Sequence, residues 1–151
     1  MMILTTFFRT YRKIFTDETL IEAEYICQQS LDIKEKFPTD ESRLKEAQRL
    51  VCNYAEAALV VTSRIHCALP CLGLGTPVIY TEDSCQSEAS ACRLDGLRQL
   101  FNIAKWQDGR LLPEWSFSGK ISSIQNIPIN KPDWKGLAQR LQKRVANFIE
   151  N

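Results

Sequence analysis

Ala57 to Tyr80 reads AALVVTSRIHCALPCLGLGTPVIY, and this run decides the fold. Ala58 to Val61 is short, apolar and partly β-branched, which suits a buried strand, and Thr62 and Ser63 are residue types that start helices. Gly73 and Gly75 end the helix before a second apolar run, Val78 to Tyr80, with Pro77 starting that strand. Strand, helix and strand in so short a span make a β-α-β unit, the building block of a parallel sheet. Ligands of such sheets gather beyond the carboxyl ends of the strands, where the first turn of a helix offers unpaired N–H groups and partial positive charge. Arg64 and His66, the only histidine of the chain, stand at that end.

Outward from this unit the pattern keeps alternating. Thr39 or Asp40 caps a helix running to about Tyr54, with Leu44, Ala47, Val51 and Tyr54 as its inner face. Before it, Glu22 to Cys27 reads as a strand, followed by a polar loop through Asp32 and Pro38. Ile3 to Phe15 repeats apolar residues at helical spacing opposite Arg9, Arg12 and Lys13, as expected of a helix covering the sheet. Downstream, Thr81 to Ala91 is polar and suits a mobile loop over the ligand end of the sheet, and Arg93 to Phe101 a short helix. Asp108 to Pro132, with prolines at 113, 128 and 132 and scattered Trp115, Phe117, Ile121 and Ile127, reads as an extended wrap. Asp133 opens a last helix to about residue 150, with Trp134, Leu137, Leu141, Val145, Phe148 and Ile149 on one side and Lys135, Arg140, Lys143 and Arg144 on the other. The expected fold is a single Rossmann-like three-layer α/β domain over residues 1–151 with a parallel sheet.

Composition bounds function without naming it. With 19 basic and 18 acidic side chains, a formal charge of +1 and 44% hydrophobic residues, the chain reads as a soluble globular protein and does not point to nucleic acid. No apolar stretch approaches the roughly 20 residues of a membrane span, and Arg9, Arg12 and Lys13 lack a following signal-peptide core, so the expected location is the cytoplasm or the inner face of the membrane. Six cysteines invite a disulfide or zinc reading. Cys27, Cys52, Cys67 and Cys71 fall inside expected helices and strands, where a free thiol behaves as a small hydrophobe, and Cys85 and Cys92 in a reducing compartment stay unpaired. No C-x-x-C spacing occurs, and adjacent His66 and Cys67 point about 100° apart on a helix, so no metal site is expected.

The run TSRIHCALPCLGLGTPVI resembles the R-[LI]-H-x-x-x-P/A-x-x-x-G-x-P-[VI] signature of the polysaccharide pyruvyl transferase family. A looser likeness extends from about Tyr25 to Phe101, through AEYICQQ, ESRLKEAQRLV and CRLDGLRQLF. The resemblance implies a donor-binding carboxyl-terminal half of a two-domain enzyme, similar in architecture to GT-B glycosyltransferases. Such enzymes move the enolpyruvyl unit of phosphoenolpyruvate to a sugar hydroxyl in cell-surface polysaccharide synthesis. It further implies phosphoenolpyruvate as donor substrate with no cofactor, a sugar or lipid-linked saccharide as acceptor, and a missing amino-terminal domain. A homo-oligomer would cover the face such a domain leaves.

The candidate residues follow from the chemistry of that donor, which carries a carboxylate and a phosphate. A guanidinium pairs bidentately with either group and stays charged, which suits Arg64; a cation in a first helical turn also opposes the helix dipole, so local stability does not account for it. His66 has the side chain best matched to proton transfer near neutrality, and general acid is its expected role, with phosphate clamp as the alternative. Thr62, Ser63 and Ile65 complete the turn, the first two as caps whose hydroxyl or N–H groups reach the donor phosphate. Arg93 is a second candidate anion ligand, and Gln28 and Gln29 are candidates for sugar hydroxyls. Asp83 and Glu88 are weaker candidates for a base. Two other readings compete: a nucleotide-sugar-binding half of a GT-B glycosyltransferase, and a noncatalytic half-domain.

Overall fold

The computed structural model of the chain describes residues 10–26, 33–82, 94, 96–116, 118–122 and 125–150. Its centre is a four-stranded sheet in the order β1 (Val60–Thr62), β2 (Val78–Glu82), β3 (Asn102–Gln107) and β4 (Arg110–Pro113). β1 pairs parallel with β2 in the register Val60 to Val78 through Thr62 to Tyr80, and β2 pairs parallel with β3 from Ile79 and Asn102 to Glu82 and Lys105. β4 is antiparallel to β3, so the sheet is mixed and not wholly parallel as expected. The cause lies in Asp108 and Gly109, whose φ angles of 50° and 69° make a tight two-residue turn that doubles the chain back at once.

β2 shows why the sheet is covered on both sides. Its residues are buried from Val78 to Thr81, the continuous burial of a strand sandwiched between two layers. Side chains alternate across it: Val78 and Tyr80 join one apolar cluster, and Ile79 joins the other. On the first face lie Cys67, Ala68, Cys71 and Leu72 of α4 (Ile65–Leu74), Leu50 and Tyr54 of α3 (Asp40–Glu56), and Trp134 at the start of α5 (Asp133–Ile149). Phe101, fully buried, stacks on Tyr80 with ring centroids 5.5 Å apart, a contact worth about 0.5–1.5 kcal/mol beyond its buried area. The second face is covered by Tyr11, Ile14, Phe15 and Leu20 with Ile121, and by Trp115 and Ile127 partly buried beside them. Leu20 belongs to α1 (Asp17–Glu22), and a single turn, α2 (Ile33–Lys36), precedes α3. A single parallel bridge between Phe15 and Ile121 ties these two covering segments together.

Several expectations hold in kind and shift in detail. α3 is capped by Thr39, whose hydroxyl accepts from Ser42 N while Ser42 Oγ accepts from Thr39 N; such a cap contributes about 1 kcal/mol. Its inner face is narrower than expected. Leu50 and Tyr54 reach the core, while Leu44, Ala47 and Val51 are exposed, because α3 packs on α4 through its carboxyl-terminal half. Cys52, expected among buried thiols, is exposed on the same helix. The strand expected from Glu22 is absent over its described part: Glu22 ends α1, and 23–26 are irregular. Described residues of the expected short helix after Arg93 form turns and a 3-10 turn, Arg98–Leu100. Ile121 and Ile127 pack as a wrap, yet the first part of that region is strand β4.

The wrap is stitched to the sheet at the amino ends of the strands. Asn130 Oδ1 accepts from Val78 N at 3.0 Å, and its Nδ2 donates to Thr76 O at 2.7 Å. Asn102 Nδ2 donates to Ile129 O at 3.0 Å, and Thr76 Oγ1 donates to Tyr54 O at 2.8 Å. Two amides and a hydroxyl, those of Asn130, Asn102 and Thr76, thus fasten α3, β2, β3 and the approach to α5 at the end of the sheet opposite Arg64, leaving the other end to the β1-to-α4 crossing.

Candidate functional site

β1 ends at Thr62, and the chain reverses direction over Ser63 and Arg64 into α4. Thr62 and Ser63 are not the helix caps that their residue types predict. Arg64 is the N-cap, with φ −105° and ψ 118°, and no side chain closes the helix there. Thr62 Oγ1 instead accepts from Arg64 N at 3.0 Å, tightening the turn one residue early. Arg64 O accepts from Cys67 N and Ala68 N, so the helix begins properly, while the N–H groups of Ile65 and His66 have no partner among the described residues. Uncapped donors of this kind, with the helix dipole behind them, form a positive end that an anion can satisfy.

Pro70 adds a second local effect. It lies inside α4 and has no N–H to return to the carbonyl four residues earlier, which is that of His66. The His66 carbonyl therefore lacks the usual donor four residues on. Ser63, Arg64 and His66 are exposed and Thr62 and Ile65 half-buried. The apolar half of the same helix anchors it: Cys67, Ala68, Cys71 and Leu72 are buried against β2. Gly75, at φ 81°, ends the helix in the left-handed conformation, and Gly73 sits inside the last turn, where a stop was also expected. Cys71 is held well above the ordinary thiol range, first by its hydrogen bond with Cys67 and then by burial, which makes this pair packing residues.

At the same edge of the sheet, Glu82 ends β2 two residues beyond Tyr80, the register partner of Thr62. The Arg98 guanidinium donates to both Glu82 carboxylate oxygens through Nε and Nη2. Glu82 went unnoticed in the sequence because it begins the polar segment that reads as a loop; the apolar run before it was the signal that β2 continues. The described loop residues Thr81 and Glu82 are strand, and the rest of the expected loop, with Asp83 and Glu88, lies outside the described residues. So do Gln28, Gln29 and Arg93.

The described strands run β1, β2, β3, β4 without reversal, and Leu94, Leu97, Leu100 and Phe101 on the way to β3 pack in the same cluster as α4. Strand-order reversal is what opens a crevice in open α/β sheets, and these strands do not form one. A cavity of about 230 Å³ lies instead near the start of β1, lined by Thr19, Glu22, Ala58, Leu59, Ile121, Ser122 and Ile127. None of the expected site residues lines it. Among the described residues no cluster of three or more His, Cys, Asp or Glu side chains is placed to hold a metal, and no helix of the structure is long and apolar enough to cross a membrane. No family model, no curated protein and no solved structure matches the chain.

Proposed function

We propose that this chain is the donor-binding domain of a polysaccharide pyruvyl transferase, taking phosphoenolpyruvate at the β1-to-α4 crossing. The observation that carries the reading is the sequence R-I-H set on the uncapped first turn of α4, with Arg64 as N-cap and the Ile65 and His66 N–H groups unpartnered among the described residues. In this proposal Arg64 pairs with the donor carboxylate, and the helix terminus with Thr62 and Ser63 receives the phosphate. His66 donates a proton to the methylene carbon as one acceptor hydroxyl adds to the neighbouring carbon and gives its proton to a base of the partner domain; phosphate then departs, and a second hydroxyl of the sugar adds, losing its proton, to close a pyruvate ketal. The cation and the helix end offset the phosphate charge without a metal. Arg93 would add a second cation, Gln28 would meet sugar hydroxyls, and a GT-B-like partner domain would bring the saccharide acceptor and its base.

Donor binding to the folded state raises the melting temperature by mass action. Phosphoenolpyruvate at about a hundred times its dissociation constant stabilises by about 2.7 kcal/mol, a rise of roughly 5–10 °C for a domain of this size. Arg64→Ala should abolish that rise with little change in the unliganded melting temperature, because Arg64 is exposed. No rise at millimolar phosphoenolpyruvate, or a rise with UDP- or GDP-sugars instead, refutes the proposal.

A further inference from the structure

We infer that the apolar face of α5 docks on an anionic lipid surface. α5 runs from Asp133 to Ile149 and contains no buried residue. Only Trp134, at its start, packs on the core; beyond it Leu141 is 63% exposed, Phe148 84% and Ile149 75%. At 100° per residue, Trp134, Leu137, Leu141, Val145, Phe148 and Ile149 fall within an arc of about 120°. The helix is anchored at one end and carries its apolar stripe out from the domain along its length.

Charge selects the occupant. Between Trp134 and Ile149 the helix holds Lys135, Arg140, Lys143 and Arg144 and no acidic residue. None of the four forms an ion pair with a described residue. Arg140 and Arg144 border the apolar arc on one side and Lys135 on the other, so long cationic side chains rim the stripe. A second copy laid face to face would set these cations against each other with no carboxylate from the same stretch between them. Three of the four acids of α3 are already paired, Asp40, Glu41 and Glu46 with Arg43, Lys45 and Arg49, which leaves only Glu56 of that helix against four cations. A surface of phosphate headgroups over acyl chains satisfies both halves at once: apolar side chains enter the acyl boundary while the flanking cations reach the headgroups. This inference does not depend on the donor site.

The test is sedimentation of the full chain with vesicles. Phosphatidylcholine containing about one third phosphatidylglycerol should carry the protein down at low salt, phosphatidylcholine alone should not, and about 0.5 M salt should release it. Phe148→Ser should weaken binding at least about tenfold through lost apolar burial. Arg140→Gln with Arg144→Gln should weaken it about 25-fold, at roughly fivefold per cation. All three side chains are exposed, so circular dichroism should show both variants folded like the wild type. Absence of sedimentation with anionic vesicles, equal sedimentation with neutral ones, or binding untouched by Phe148→Ser overturns the inference. A dimer in gel filtration that Phe148→Ser dissociates, without vesicle binding, overturns it in favour of a second copy.

Discussion

Asn130 joins parts of the chain 52 and 54 residues away through one side-chain amide, and replacing it should reveal how much the amino edge of the sheet depends on that stitch. Asn130→Ala strips Val78 N of its acceptor and Thr76 O of its donor, at positions where both residues are buried. An orphaned buried group costs about 1–3 kcal/mol, so the pair should cost about 2–6 kcal/mol, or roughly 4–24 °C in melting temperature. Asn130→Asp separates the two bonds. Its carboxylate still accepts from Val78 N, yet faces the Thr76 carbonyl without a proton to give, whereas the protonated acid restores both contacts. The fold therefore favours the protonated form and raises the pKa of this group above its unfolded value of about 3.9. By linkage, stability relative to wild type is then greatest below that unfolded value and is lost as pH rises through the folded one. Urea denaturation of wild type and both variants between about pH 3.5 and 7 measures this. A cost below about 1 kcal/mol for Asn130→Ala, or an Asp variant whose deficit does not shrink on acidification, would refute the reasoning.

Two other outcomes follow from the burial pattern. A thiol reagent on the native protein should modify Cys52 and spare Cys67 and Cys71 until urea unfolds the chain, with peptide mapping as the readout; rapid native labelling of Cys71 would contradict the packing of α4 on β2. Tyr11 is held above the ordinary tyrosine range, chiefly by burial, with its hydrogen bond to Thr81 opposing the shift. Its contribution is present below about pH 10 and is lost as pH rises through its folded value, so Tyr11→Phe should flatten the alkaline fall in stability, and an unchanged alkaline limb counts against the burial of Tyr11.

Local chemistry made the central unit legible. A short β-branched run, helix formers, a glycine stop and a second apolar run are nearest-neighbour effects, and they placed β1, α4 and β2 within two residues. The capped start of α3 and the amphipathic period of α5 were readable for the same reason. Asp108-Gly109 was an equally local signal for the hairpin of β3 and β4, and it was overlooked inside a region whose prolines suggested a wrap. Thr62 and Ser63 likewise marked the start of a helix to within two residues.

Which apolar stripe finds a partner was beyond local reading. Leu44, Val51 and Phe148 match the helical period as well as Leu50, Tyr54 and Trp134 do, yet only the latter three meet the core, because burial depends on where distant segments arrive. Thr62 has the residue type of a cap, and the angle at which β1 enters α4 gave that position to Arg64 and turned the threonine hydroxyl back one residue. Glu82 took Arg98 as its partner across 16 residues, a pairing that exists only once β2 extends past β1. The amino-acid order thus determined β1, α3, α4, β2 and α5 and the cationic turn between β1 and α4, since these rest on contacts a few residues apart. The order of strands without reversal, the stitch through Asn130 and the exposed length of α5 were decided by packing between segments tens of residues apart, where pattern alone carries no distance.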